Sequence, residues 1–173
     1  NFMVEYVSIS SDGNWLVCAA NTSANNDPLD IDRRHILKIH INGSGSEVIT
    51  PGQGNEWTPF IMGKGETMAY ISATAQRPPI AAVMNLKKKK SQLVGEALVP
   101  KDSPVKQLVT PTQVIFSAPD GTAIHATMFK ADKGNDKRPA IIYVHGGPPR
   151  QMLLGWHYSS YYSNAYAMNQ YLA

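Results

Sequence analysis

The chain alternates short apolar segments with polar turns over its first 95 residues. Apolar segments of roughly four to eight residues, bounded by Gly, Asn, Asp or Pro, are typical of β-strands. The pattern predicts strands in residues 4–10, 15–20, 34–41, 47–50, 57–62, 67–73 and 80–86.

An internal repeat becomes visible when Gly13 is aligned with Gly65. This offset of 52 residues matches residues 16–18 with residues 68–70, and both segments follow a glycine-containing turn. Four short strands per unit, repeated at about this interval, favour the blades of a β-propeller, with a β-sandwich as the alternative.

A connection and a hairpin follow the repeat. Residues 96–112 contain three prolines among polar residues, which predicts an extended connection. Residues 113–117 and 122–130 flank an Asp-Gly turn and predict a β-hairpin. Ile124 and Met128 alternate with other side chains along its second strand, so we expect that strand to be half-buried.

An apolar segment rich in β-branched residues occupies residues 140–144. A segment of this kind predicts a strand that is buried on both faces. It runs into His145, Gly146 and Gly147, where two residues without a Cβ allow a sharp turn and a close approach of the backbone to another group. α/β-Hydrolases form half of an oxyanion hole at such a turn.

The hydrophobic period changes after Tyr158. Tyr161, Ala165, Met168 and Leu172 follow one another at the spacing of one helix face. An α/β-hydrolase sheet begins with the same order of elements: two antiparallel strands, a buried strand, a glycine turn and a helix.

The composition indicates which classes of protein the chain can belong to. The 173 residues are 43% hydrophobic and 17% charged, which indicates a globular chain. The net charge is +3, and the lysine run at residues 87–90 more than accounts for it. Such a run is typical of a solvated turn between strands, so nucleic-acid binding is not expected. No apolar run approaches the roughly 20 residues that span a membrane.

The residues with reactive side chains are few. Cys18 is the single cysteine, and its place in an apolar strand predicts a buried structural thiol. No His, Cys, Asp or Glu cluster has metal-ligand spacing, and neither a metal nor another cofactor is expected. His157 precedes the predicted helix and is a candidate to reach a substrate cleft. The other histidines outside the glycine turn are expected at surface or hydrogen-bonded positions.

Taken together, the chain resembles the prolyl oligopeptidase family of serine peptidases, which includes dipeptidyl peptidase IV and the acylaminoacyl peptidases. The segments that carry the resemblance are "VIFSAPDGTAIHATMFKA", "RPAIIYVHGGPPR" and "WHYSSYYSNAYAMNQYLA". The family joins a β-propeller to a C-terminal α/β-hydrolase domain. The resemblance implies a mixed β and α/β fold: C-terminal propeller blades in residues 1–95, a linker in 96–112, and the incomplete start of the hydrolase domain in 113–173.

The resemblance also implies roles for the glycine turn. Gly147 would donate its backbone N–H to the oxyanion, Gly146 would allow the turn, and His145 would position the loop. In the prolyl oligopeptidase and dipeptidyl peptidase IV branches a tyrosine stands where His145 stands here, so this turn is closer to the acylaminoacyl type. The implied activity is hydrolysis of short peptides through an acyl-enzyme.

The catalytic triad is not expected within these residues. No serine has glycine two residues before and two residues after it, and no acidic residue follows Asp136. The serine, aspartate and histidine are therefore expected outside residues 1–173. We expect these residues alone to be inactive and not to form an independently stable monomer.

Two alternatives remain open from the sequence. One is an esterase or lipase with a similar His-Gly-Gly turn, and the other is a propeller binding module with a degenerate hydrolase part. The main interpretation allows as partners a peptide substrate, the remainder of the same polypeptide or a companion chain, and a second copy in a homo-oligomer. Cytoplasmic and periplasmic or secreted locations are both consistent with the sequence.

Overall fold

The computed structural model describes residues 3–22, 30–131, 139–147 and 150–173. The described part of the chain is mostly β-sheet with one C-terminal α-helix. In chain order the elements are β1 (Val4–Ile9), β2 (Trp15–Ala20), β3 (His35–His40), β4 (Ser46–Val48), β5 (Asn55–Met62), β6 (Thr67–Ala73), β7 (Ile80–Asn85), β8 (Lys90–Val94), β9 (Thr112–Ser117), β10 (Ala123–Met128) and α1 (Ser160–Leu172).

The strands form three antiparallel sheets. The first sheet has the order β1-β2-β3-β4, the second has the order β5-β6-β7-β8, and β9 pairs with β10. The predicted strands of the first 95 residues are confirmed, whereas β8 was not predicted from the sequence. The side chains of β8 are mostly exposed and polar, so it lacks the apolar alternation that marks a strand.

The first hairpins of the two four-stranded sheets repeat each other in backbone detail. Strands β1 and β5 each carry a register shift that marks a bulge. Tyr6 and Thr58 lie at these bulges with positive φ, 53° and 47°, which is uncommon for residues other than glycine. Gly13 and Gly65 also share a positive φ at the following turns. Both pairs are separated by 52 residues, so the predicted offset is confirmed for these hairpins.

The two four-stranded sheets pack against each other through inequivalent faces. Val17 of the first sheet lies in one buried cluster with Met68 and Tyr70 of the second. The counterpart of Val17 at the 52-residue offset is Ala69, which points to the opposite face of its sheet because side chains alternate along a strand. The equivalent faces of the two sheets therefore point in the same direction along the stack. The other members of this cluster are Ile36, Ile49, Ile61, Ala82 and Met84.

The other face of the first sheet carries its own apolar cluster around Cys18. Ala20 and Leu37 are buried beside it, and Ile39 and Val48 pack at the edge. The prediction that Cys18 is a buried thiol is confirmed, and burial raises its pKa. A raised pKa keeps the sulfur in the thiol form, which is a poor nucleophile.

The strand predicted in residues 140–144 is wrong. These residues adopt neither helix nor strand, and the side chains of Ile142 and Val144 are 87% and 85% exposed. A buried strand requires hydrogen-bonded neighbours and covering layers. None of the described strands pairs with this segment.

The predicted C-terminal helix is confirmed as α1, but its buried face is not the apolar one. Tyr161 and Met168 are exposed, whereas Tyr162, Tyr166 and Gln170 are buried. Tyr166 Oη donates to the carbonyl of Ala75 at 2.7 Å, so a buried polar group of the helix is satisfied by the backbone of a distant loop. This described helix is too short to span a membrane.

The hairpin of β9 and β10 forms as predicted, but the predicted alternation of burial is wrong. Ile124 and Met128 are both exposed, and the half-buried positions of β10 are its central ones. The alternation would need a covering layer on one face of the hairpin. The connection before it contains two short 3-10 turns, Glu96–Leu98 and Val105–Gln107.

Candidate functional site

The glycine turn is built around a left-handed residue. Gly147 has φ of 84°, and the N–H of Arg150 donates to its carbonyl at 2.8 Å, which closes the turn. A Cβ at residue 147 would lie 3.0 Å from the Arg150 side chain, so both conformation and space favour glycine. Gly146 has no positive φ and open space at its Cβ position. The conformational need for glycine therefore lies at Gly147. Pro148 and Pro149 lie outside the described residues.

The backbone N–H of Gly147 has no acceptor among the residues that the structure describes. Gly147 itself is exposed. An exposed N–H at a tight turn is a suitable donor to an anionic oxygen of a ligand.

The carbonyl of Gly146 accepts two hydrogen bonds. Tyr162 Oη donates to it at 3.1 Å, and His145 Nδ1 lies 3.2 Å from the same oxygen. A carbonyl oxygen only accepts, so this contact assigns a hydrogen to Nδ1 of His145. The rings of His145 and Tyr162 meet edge to face, with centroids 6.0 Å apart. The first turn of α1 thus holds the glycine turn.

Aromatic rings connect this turn to the second sheet. The His157 ring lies 5.2 Å from that of Tyr162 and 5.6 Å from that of Trp57, which is fully buried on β5. Tyr158 stacks on His157 and hydrogen-bonds through its hydroxyl to Tyr6 at the β1 bulge. Edge-to-face and tilted contacts at these separations are favourable. The bulge residue Tyr6 and the glycine turn are therefore parts of one aromatic cluster.

His157 is neutral at pH 7. Burial, with the nearby positive charges of Arg34 and Arg150, lowers its pKa from 6.5 to about 4. The N–H of Ser159 donates to Nδ1 of His157 at 2.9 Å, so the ring hydrogen is on Nε2. His157 packs against Tyr162, which contacts the glycine turn, and its ring is neutral with the hydrogen on Nε2.

Replacing His157 should change the pH dependence of stability. Its folded pKa, about 4, lies below the unfolded value of 6.5, so the unfolded chain binds more protons between these pH values. The free energy of unfolding should rise with pH across this window and be at its full value above it. In His157→Gln that part of the rise should be missing, by on the order of 2 kcal/mol after allowance for solvent screening. Urea unfolding of both full-length proteins from pH 4 to pH 7 measures it, and parallel profiles would contradict the assignment.

A buried polar cluster fixes the chain after the glycine turn to the first sheet. Asp32 is 3% exposed and accepts hydrogen bonds from Gln151 Nε2 and Gln113 Nε2, each at 2.6 Å, with His125 Nδ1 3.4 Å away. Gln151 Oε1 accepts from Arg34 Nη1 at 3.0 Å. Burial lowers the pKa of Arg34, and its ion pair with Glu5 counters that effect.

His145, Gly146 and Gly147 are consecutive and form the glycine turn, and the structure places the ring of His157 against that of Tyr162, which contacts this turn. Their part in an oxyanion hole remains a prediction. Sequence reasoning missed Tyr162, Trp57 and the Asp32 cluster. The density of aromatic residues after residue 155 was a signal for the ring cluster, but the partners of Asp32 lie 81 and 119 residues away. Within the described ranges no group of three or more His, Cys, Asp or Glu side chains is arranged to hold a metal ion.

No protein-family model and no curated protein sequence matches the chain. Solved structures do match its fold. A puromycin-hydrolyzing peptidase from Mycobacterium tuberculosis matches over 72% of this chain with a TM-score of 0.53 and 13% identity. This chain spans only 17% of the length of that peptidase.

Two TolB structures match less closely. TolB from Acinetobacter baumannii matches over 69% of this chain and 25% of its own, with a TM-score of 0.42 and 16% identity. A putative TolB from Agrobacterium tumefaciens matches over 50% of this chain and 31% of its own, with a TM-score of 0.40 and 16% identity.

Proposed function

We propose that this chain is part of a serine-type peptidase, in which the glycine turn supplies a backbone donor to the oxyanion. The observation that carries the proposal is the N–H of Gly147, an exposed residue: this N–H has no described acceptor and lies in a turn held by α1. Donors of this kind stabilise the negative oxygen of an acyl-transfer transition state. The peptidase of similar fold supports peptides as the substrate class.

The proposal assigns residues 1–95 to propeller blades, 96–112 to a linker and 113–173 to the start of an α/β-hydrolase domain. Stacking of the two four-stranded sheets in the same sense supports successive blades, because a sandwich of two equivalent halves would join equivalent faces. The order of hairpin, glycine turn and helix supports the hydrolase assignment.

In the proposed reaction, a serine hydroxyl attacks the carbonyl carbon of the scissile peptide bond, and a histidine accepts the hydroxyl proton. The carbonyl oxygen becomes negative and takes a hydrogen bond from the Gly147 N–H. Collapse of this intermediate expels the amine, which receives the proton, and leaves an acyl-enzyme that water hydrolyses. The serine, the histidine and its acidic partner lie outside residues 1–173 in this proposal.

The proposal can be tested on the full-length protein with a fluorophosphonate probe and two substrate panels. We expect covalent labelling of one serine, with turnover of aminoacyl or peptidyl amides. p-Nitrophenyl esters serve as the comparison panel, because a serine peptidase also cleaves these activated esters. Labelling with ester turnover but no amide turnover would indicate an esterase. Absence of both labelling and turnover would overturn the proposal in favour of a binding module.

A further inference from the structure

We infer that Tyr162 is a positioning residue for the oxyanion donor: its hydroxyl holds the peptide between Gly146 and Gly147 so that the Gly147 N–H faces away from α1. The inference rests on the proposed function. It adds a residue that the sequence did not indicate, and it assigns that residue an effect on one step of the reaction.

The geometry of the peptide bond sets the direction of the Gly147 N–H. The described residues contain no cis peptide, and in a planar trans peptide the C=O and the following N–H point in opposite directions. The Gly146 carbonyl points to Tyr162 Oη, 3.1 Å away. The Gly147 N–H must therefore point to the opposite side, away from the helix.

A peptide between two glycines needs such a restraint. Glycine populates positive and negative φ with little difference in energy, so rotation of this peptide meets no Cβ on either side. A flip of the peptide would direct the carbonyl oxygen, rather than the N–H, towards a substrate. An oxygen at this position would repel the developing oxyanion instead of stabilising it.

Tyr162 is itself well fixed. It lies in the first turn of α1 and is 5% exposed. The helix is held to the loop after β6 by Tyr166, which donates to the Ala75 carbonyl. It is held to the connection before β9 by Gln170, whose amide makes two hydrogen bonds of 2.8 Å with the backbone of Val109. The hydroxyl of Tyr162 is therefore presented from an anchored element.

His145 provides a second, weaker restraint on the same carbonyl. Its Nδ1 lies 3.2 Å from the Gly146 oxygen, and its ring packs edge to face on Tyr162. The Gly146 carbonyl is therefore contacted by His145, which belongs to the turn itself, and by Tyr162, which belongs to α1.

The first test compares turnover of a peptidyl amide by the full-length protein and Tyr162→Phe. Phenylalanine keeps the ring contacts and removes only the hydroxyl. We expect kcat to fall by about tenfold to a hundredfold with KM nearly unchanged, because the misdirected donor acts on the transition state.

Two matched variants separate positioning from general structural loss. Tyr161→Phe removes the neighbouring hydroxyl, which hydrogen-bonds Tyr143 and not the glycine turn, and should keep kcat within about twofold. Tyr70→Phe removes the hydroxyl of a buried tyrosine on β6, which donates to Ser91 Oγ at 2.8 Å, and should lower the melting temperature without lowering kcat. Unchanged kcat in Tyr162→Phe, or an equal loss in Tyr70→Phe, would overturn the inference.

Crystal structures of the full-length protein and Tyr162→Phe give a readout that does not depend on activity. We expect the Gly146–Gly147 peptide to be rotated or present in two orientations in the variant, and an unchanged peptide would overturn the positioning role. An inactive parent protein whose peptide rotates in the variant would contradict the proposed function while supporting the positioning role. If Tyr162→Phe fails to fold, His145→Ala against His145→Asn tests the same carbonyl, because Asn Nδ2 can replace the Nδ1 donor.

Discussion

Replacing Gly147 with valine in the full-length protein should lower turnover of a peptidyl amide by about a hundredfold to a thousandfold. Losing one oxyanion donor costs roughly 3 kcal/mol of transition-state stabilisation. Gly147 has φ of 84°, where a β-branched residue is strongly disfavoured, and its Cβ would lie 3.0 Å from Arg150. The turn would rearrange and carry the N–H away from its position. Steady-state kinetics should show the loss in kcat.

Gly121 offers a matched control for this substitution. It has nearly the same φ, 86°, in the turn between β9 and β10, with open space at its Cβ position. Gly121→Val should therefore cost similar backbone strain, about 1–2 kcal/mol of stability, without affecting kcat. Near-normal turnover by Gly147→Val, or an equal loss in Gly121→Val, would contradict the role of Gly147.

Replacing Asp32 with alanine should lower the free energy of unfolding by about 3 kcal/mol. The carboxylate is 3% exposed and accepts hydrogen bonds from the amides of Gln113 and Gln151. Its removal takes away two hydrogen bonds to half-buried amides and a negative charge close to Arg34. Losing one partner of a buried polar network carries a penalty of this size. Denaturant unfolding of the full-length protein measures it.

Asp120 is the matched control for Asp32. Its carboxylate is exposed at the β9–β10 turn and accepts one hydrogen bond from the N–H of Thr122, at 2.9 Å. Asp120→Ala should cost no more than about 1 kcal/mol. Similar losses in the two variants would mean that the buried cluster adds little to stability.

Strand positions in the first 95 residues could be predicted because they depend on local pattern. Alternation and turn residues near Gly13 and Gly65 located both hairpins correctly. Residues 87–89 of the lysine run lie in a turn as predicted, but Lys90 begins β8, which was not predicted because a largely polar edge strand looks like a loop. The local sequence pattern therefore predicted the strands that bury apolar side chains. It did not predict a strand whose pairing leaves its side chains exposed.

The features of the fold that the sequence did not predict depend on contacts between residues that are distant in the chain. The segment 140–144 has the composition of a buried strand, but a strand exists only with neighbours, and no described strand pairs with it. The buried face of α1 differs from the predicted one because Tyr162 and Tyr166 bury their rings while their hydroxyls reach backbone carbonyls of distant segments. The two glycines predicted the candidate turn, but nothing in the sequence pattern predicted that Tyr162 contacts it.

The stacking of the two sheets explains why their similar backbone shape is accompanied by so little sequence similarity. Val17 is buried between the sheets, whereas its counterpart Ala69 faces away from that interface, so equivalent positions meet different surroundings. Different side chains therefore suit the two positions. Gly13 and Gly65, which share a positive φ, are identical in the two units, whereas Tyr6 and Thr58 at the bulges share a positive φ but are different residues.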